Sequence, residues 1–151
     1  MVVSDSTTLI ILLDLDRLDL LSNLFSKVVI PKAVYNEITF KKNFKLPNFI
    51  KIKEAKNIEL TKRLQMLLDK GESEAIALAL EMDKKLIIDE KKGRKIALNY
   101  SIKIIGLLGI IYLNIKRGFI SKQEAREFLN LAINRGYRIN QNLIDEMFDG
   151  V

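Results

Sequence analysis

Short apolar runs alternating with stretches of helical periodicity limit how this chain can fold more than any other feature of it. Residues 1–4 form one run, ending at Asp5; residues 27–30 form a second, which meets Pro31; residues 86–88 form the clearest later one. Runs this short, bounded by helix-start residues, read as buried strands. Residues 49–52 suggest a third, edge strand and residues 102–105 a fifth. Between them apolar residues recur three and four apart, as on one face of a helix. Leu9, Leu12, Leu13, Leu20, Leu21 and Leu24 make one broken helix or two short ones, and helices are expected over 31–41, 60–68, 72–82 and 91–100. Gly71 reads as a helix end between two of them. Helices near 107–116, 122–133 and 141–148 close the chain, punctuated by Gly118 and Gly136. Such alternation builds a parallel sheet covered on both faces, an α/β sandwich with extra C-terminal helices.

The 151 residues show no repeat, low-complexity tract or linker, so a single domain over 1–151 is expected. No apolar run approaches the roughly 20 residues that span a bilayer, and no leader pattern opens the chain. A soluble, cytoplasmic protein is the expectation.

Cys and His are both absent. That excludes disulfides, thiolate and imidazole metal sites, Ser-His-Asp and Cys-His nucleophiles, and histidine acid-base catalysis. Carboxylates remain, and they favour hard cations such as magnesium or manganese. The 25 Lys and Arg exceed the 19 Asp and Glu, for a net charge of +6. Such a surface attracts polyanions, nucleic acid foremost, although a modest positive excess also serves solubility.

In an open parallel sheet, ligands bind beyond the carboxyl ends of the strands, where the strand order reverses. Asp5 and the pair Asp89-Glu90 follow such ends. A helix cap explains Asp5 as well, and first-turn acids explain Asp89 and Glu90. On the wheel of residues 31–41, Glu37 falls on the apolar side near Ala33, Val34 and Phe40; Glu74 lies in a helix that is apolar almost all round. A partly buried carboxylate is paired, protonated or bound to a cation. For Glu74 a first-turn position is the alternative, and for Glu37 an edge position that reaches water.

Taken together, these residues resemble the PIN-domain family, in particular a prokaryotic branch related to the VapC-like toxin ribonucleases. The resemblance rests on Val3-Ser4-Asp5-Ser6-Thr7-Thr8-Leu9-Ile10, on Ile30-Pro31 with Val34-Tyr35-Asn36-Glu37, and on Gly71-Glu72-Ser73-Glu74-Ala75-Ile76-Ala77-Leu78-Ala79. It continues through Ile87-Ile88-Asp89-Glu90 with Gly93-Arg94, Gly106-Leu107-Leu108-Gly109, Lys116-Arg117-Gly118-Phe119-Ile120 and Gly136-Tyr137-Arg138-Ile139. Thr8 stands where the branch usually has proline, and Glu90 where a second aspartate is common.

The resemblance implies a three-layer sandwich with strand order 3-2-1-4-5. It also implies an endoribonuclease whose Mg2+ or Mn2+ is held by Asp5, Glu37, Glu74 and Asp89, with Glu90 an alternative or additional ligand. It further implies RNA as substrate, a homodimer, and a toxin paired with an antitoxin protein. Ser6 or Thr7 would position a water or phosphate, although both also suit a helix start. Lys91, Lys92, Arg94 and Lys95, and likewise Lys41, Lys42 and Lys45, would hold the RNA backbone. Among the rivals, Ile10-Ile11-Leu12-Leu13-Asp14-Leu15-Asp16 superficially matches the opening of haloacid dehalogenase-type phosphatases, but Arg17 and Leu18 replace the usual glycine and threonine. A response-regulator receiver also has acids at strand ends, but here no lysine follows a late strand in the setting such a domain needs. A PIN-like module that binds nucleic acid without cutting is the remaining alternative.

Overall fold

Val2–Ser4, Val28–Ile30, Ile50–Ile52, Leu86–Ile87 and Ile104–Ile105 form strands β1 to β5, rich in the β-branched side chains that pack well on a pleated surface. The computed structural model describes residues 1–41 and 43–151; Lys42, a candidate backbone contact, lies outside the described residues. All five strands are parallel, in the order β3-β2-β1-β4-β5. Val3 of β1 is flanked by Val29 on one side and Leu86 on the other. The chain therefore grows outward from β1 to β3, then returns to β1's free side with β4. That reversal opens a crevice between the carboxyl ends of β1 and β4. The fifth strand is shorter than expected, because Ile102 is buried under the preceding helix and only Ile104 and Ile105 pair with β4.

Side chains alternate between the two faces of the sheet, as the two-residue period of a strand requires. Val2, Val28, Ile30 and Ile87 enter one core with Leu9, Leu12, Ile110 and Phe128. Val3, Val29, Leu86 and Ile88 enter the other with Leu64, Ile76, Leu78 and Ala97. Helices α1 (Ser6–Asp14), α7 (Leu107–Lys116), α8 (Lys122–Asn134) and α9 (Gln141–Asp149) cover the first face together with the short α2 (Asp19–Ser22). Helices α4 (Ile58–Gln65), α5 (Lys70–Met82) and α6 (Lys91–Asn99) cover the second. Helix α3 (Lys32–Lys41) buries Val34 and Ile38 and packs against both α1 and α5. The three layers are those expected. Ile10 to Leu13 lie within α1, so the string that superficially matched a phosphatase strand is helical.

Gly71 does not end a helix. It lies in the first turn of α5, whose start is capped by the Asp69 carboxylate accepting the Glu72 N–H at 2.8 Å. Phe40, read as part of the apolar side of α3, is 91% exposed. Gly118 and Gly136 do mark chain reversals, at φ values of 79° and 97° that favour glycine. Among the described residues no helix is long and apolar enough to cross a membrane.

Candidate acidic site at the carboxyl edge of the sheet

Asp5 leaves β1 at the reversal point and precedes the first residue of α1, where a capping side chain is expected. Its side chain makes no cap hydrogen bond. The residue is only 3% exposed, and Oδ1 has no hydrogen-bond partner among the described residues. An ionised carboxylate so placed is strongly disfavoured. Burial pushes its pKa up to about 7, opposed by the Ser6 amide and assisted by the negative charges of Asp69, Glu37 and Asp89.

The neighbouring acids are delivered by helix packing and admitted by glycines. Helix α3 packs on α5, and the point where a Cβ on Gly71 would stand is 3.3 Å from Glu37 Oε2 and 3.7 Å from Asp5 Oδ1. A Cβ at Gly71 would crowd Glu37 and touch Asp5, which suits a glycine here although it lowers helix propensity. A second pair meets beside Gly93, whose Cβ would stand 3.0 Å from Glu72 Oε2 and 3.4 Å from Glu90 Oε2. Burial raises the Glu72 pKa, as do the adjoining Glu90 carboxylate and the charges of Asp69 and Asp5. Burial would raise Glu90 too, but the Gly93 and Lys92 amides and the adjoining Glu72 carboxyl outweigh it and lower its pKa. Glu72 Oε2 is also buried without a geometrically sound partner among the described residues.

Three of the expected acids hold helix starts. Glu74 Oε1 accepts the Ala33 N–H at 3.3 Å, at the beginning of α3. Asp89 accepts the Leu107 N–H on both oxygens, at 3.2 and 3.1 Å, and caps α7. The Thr8 hydroxyl donates to its Oδ2, so the residue standing in place of proline ties α1 to this cap. Glu90 caps α6 through the Lys92 and Gly93 amides at 3.1 and 2.6 Å. Asp5 and Glu37 are therefore brought together, Glu90 joins through Glu72, and Asp89 acts on Asp5 only as a nearby charge. Glu74 meets the start of α3, one helical turn before Glu37.

Of the expected substrate contacts, Ser6 is buried in the first turn of α1, while Thr7, Lys91, Lys92, Lys95 and Lys45 are exposed. Arg94 is half-buried, with Nη1 3.3 Å from the Ile88 carbonyl and 3.9 Å from Asp89 Oδ1. Gly106 fits against this arrangement so closely that a Cβ would stand 2.5 Å from Asp89 Oδ1 and 2.6 Å from Arg94 Nη1. Gly106→Ala should push Asp89 off its bonds to Leu107 and Thr8 and destabilise the fold by about 1–3 kcal/mol. Urea denaturation checks this; an unchanged midpoint would mean that Asp89 does not fix α7.

Sequence reasoning missed Asp69 and Glu72 as members of the site. Both lie at the start of α5, in a D-x-x-E arrangement that reads as an ordinary cap, and Glu72 stood in the quoted Gly71-Glu72-Ser73-Glu74 string. What distinguishes it is burial: Glu72 is 7% exposed.

Among the described residues no three carboxylates stand close enough to form a ready-made cation site. The donor chemistry nevertheless fits a hard divalent cation: oxygen ligands only, two of them buried oxygens without partners, in a cluster of like charge. No curated protein matches the chain. A family model described as PIN domain matches residues 1–151. PIN domains are generally nucleases and typically use divalent metals. With its parallel 3-2-1-4-5 sheet and a family match from end to end, the chain belongs to the PIN-domain family.

Proposed function

We propose that the chain is an endoribonuclease that hydrolyses phosphodiester bonds of RNA with Mg2+ or Mn2+ held by Asp5, Glu37 and Glu72, with Glu90 fixing the start of α6 beside them. The observation that carries this is Asp5: buried at the reversal point, with a free carboxylate oxygen and a pKa raised to about 7 by burial and by surrounding acids. A structural aspartate would satisfy both oxygens; one with an oxygen left unpartnered among other acids suits a cation. When bound, such a cation lowers the pKa of water and offsets charge on the phosphodiester oxygens. The chain's own part is to bring the carboxylates together through the α3–α5 contact and to hold Glu90 at the start of α6. Exposed Lys91 and Lys92, one turn of helix from these acids, bind the phosphates beside the scissile bond. In the hydrolysis a water gives up a proton as its oxygen bonds to phosphorus, the P–O bond to the leaving oxygen breaks, and that oxygen takes up a proton.

The likeness of the motifs to VapC-type toxins extends the proposal to the toxin of a toxin–antitoxin pair, with a protein antitoxin as partner and a homodimer as the working form. A second reading, a PIN module that binds nucleic acid without cutting it, is favoured by the capping roles of Glu74, Asp89 and Glu90. Incubating single-stranded and structured RNA with Mn2+, with Mg2+ and with a chelator separates the two. Cleavage that appears with either cation and stops with chelator is expected. Binding without cleavage under all three conditions would establish the module.

A further inference from the structure

Two stretches of the chain are strongly basic, residues 41–56, with six Lys against Glu54, and residues 84–103, which adjoin the acidic site. Residues 84–103 hold seven Lys and Arg against two acids, Asp89 and Glu90, a net +5 where the whole chain carries +6. Lys84, Lys85, Lys91, Lys92, Lys95 and Lys103 are all exposed. Among the described residues none of the six is ion-paired; Arg94, the seventh, is the one held by an acid.

Their order in space follows from the crossover. Lys91 and Lys92 open α6 beside Glu90, at the carboxyl edge of the sheet. The nine residues of α6 then run back toward the amino edge, a length of about 13 Å at 1.5 Å per residue. There Lys103 and Lys85 immediately precede β5 and β4, which are neighbours: the Leu86 N–H donates to the Lys103 carbonyl at 2.9 Å, and the Val3 N–H to that of Lys85 at 3.0 Å. Adjacent strands add about 4.8 Å each. Lysines therefore stand at both ends of α6, about 20 Å apart, those at the far end on the amino edge of the sheet. Leu98 lies exposed on α6, an apolar contact for a base between the two groups of lysines.

We propose that a path along α6 between these lysines binds a single nucleic-acid strand, carrying it away from the scissile bond over about six stacked nucleotides at 3.4 Å each. This rests on the nuclease reading of the acidic site. A narrow cationic line that begins at a carboxylate cluster matches a linear polyanion whose phosphates must be drawn toward negative charge. A membrane surface would meet a broad face instead.

The test is binding of the full chain to a fluorescently labelled 20-nucleotide single-stranded RNA, titrated with salt in chelator, so that cleavage plays no part. For single strands the slope of log affinity against log salt is about 0.7 per neutralised phosphate. Combining Lys84→Ala, Lys85→Ala and Lys103→Ala should lower that slope by about 2 and weaken binding roughly a hundredfold at about 50 mM salt. The control combination Lys53→Ala, Lys62→Ala and Lys122→Ala, exposed lysines elsewhere, should leave the slope unchanged. If the triple variant misfolds by circular dichroism, Lys85→Ala with Lys103→Ala should still lower the slope by about 1.4. A slope equal to the parent's overturns the proposal. So does loss of binding to phosphatidylserine vesicles with RNA binding intact, which would make the path a membrane contact. A chain that binds with the expected slope yet cleaves nothing with Mn2+ keeps the path and sinks the nuclease; one that cleaves with an unchanged slope in the variant does the reverse.

Discussion

Asp5→Asn should be more stable than the parent at pH 8 in chelator, by about 2–3 kcal/mol, or a rise of about 8 °C in Tm. The folded-state pKa of Asp5 is about 7 against an ordinary 3.8. As pH rises past 3.8 the unfolded chain releases this proton while the folded chain keeps it until about 7. The folded state binds more protons in that window, so the parent loses stability as pH climbs through it. The loss is absent below 3.8 and complete above 7. A shift of this size corresponds to on the order of 4 kcal/mol at 1.36 per unit, from which the extra N–H of a buried asparagine takes back about 1–2. The gap between variant and parent should therefore open from near zero at pH 4 to its full value at pH 8 in thermal melts. With Mn2+ added the order should narrow or reverse, because a cation bound to the folded parent stabilises it by mass action and the variant lacks one ligand. A gap that stays constant with pH, or a variant less stable at pH 8, would mean that Asp5 is structural.

The sheet order was legible because it came with a family resemblance, and the elements themselves because runs such as residues 27–30 and 86–88 are too short and too apolar for anything but buried strands. Asp5 was legible for the same reason: a strand's end fixes where the next side chain goes. Glu37 was legible from its place on the wheel of α3. The failures fall where two causes leave the same residue pattern. Gly71 read as a helix end because a terminating glycine and one that admits carboxylates look alike; only the approach of Glu37 and Asp5 separates them. Asp89 and Glu90 adjoin in the chain yet cap different helices, α7 and α6, and no spacing reveals that Asp89 reaches across to Leu107, 18 residues on. Glu72 and Glu74 differ by two residues, about 200° around a helix of 3.6 residues per turn, so only one of them can stand beside Gly93 and Glu90; Glu72 does, while Glu74 reaches the start of α3. On a helix apolar almost all round, the wheel cannot say which.

That last ambiguity has a direct resolution in activity. Glu72→Gln keeps shape and hydrogen-bonding atoms while removing the capacity for charge, and should reduce cation-dependent RNA cleavage by at least about a hundredfold, the scale on which loss of one electrostatic contact in a reaction is felt. Its Mn2+-induced rise in Tm should shrink in parallel, since Glu72 is buried beside Asp5's cluster and is one of two acids there with an unpartnered oxygen. Glu74→Ala removes the acceptor for the Ala33 N–H and should instead lower stability by about 1 kcal/mol, the worth of a helix cap, with cleavage within a few fold of the parent and the Mn2+ response intact. The two variants thus exchange signatures, one losing chemistry and the other stability. Cleavage abolished by Glu74→Ala and spared by Glu72→Gln would return the ligand set to Asp5, Glu37 and Glu74, and would require the α3 contact of Glu74 to break when the cation binds. Loss of cleavage in both with the Mn2+ response kept in both would remove the cation from the acids altogether and leave α5 as a scaffold.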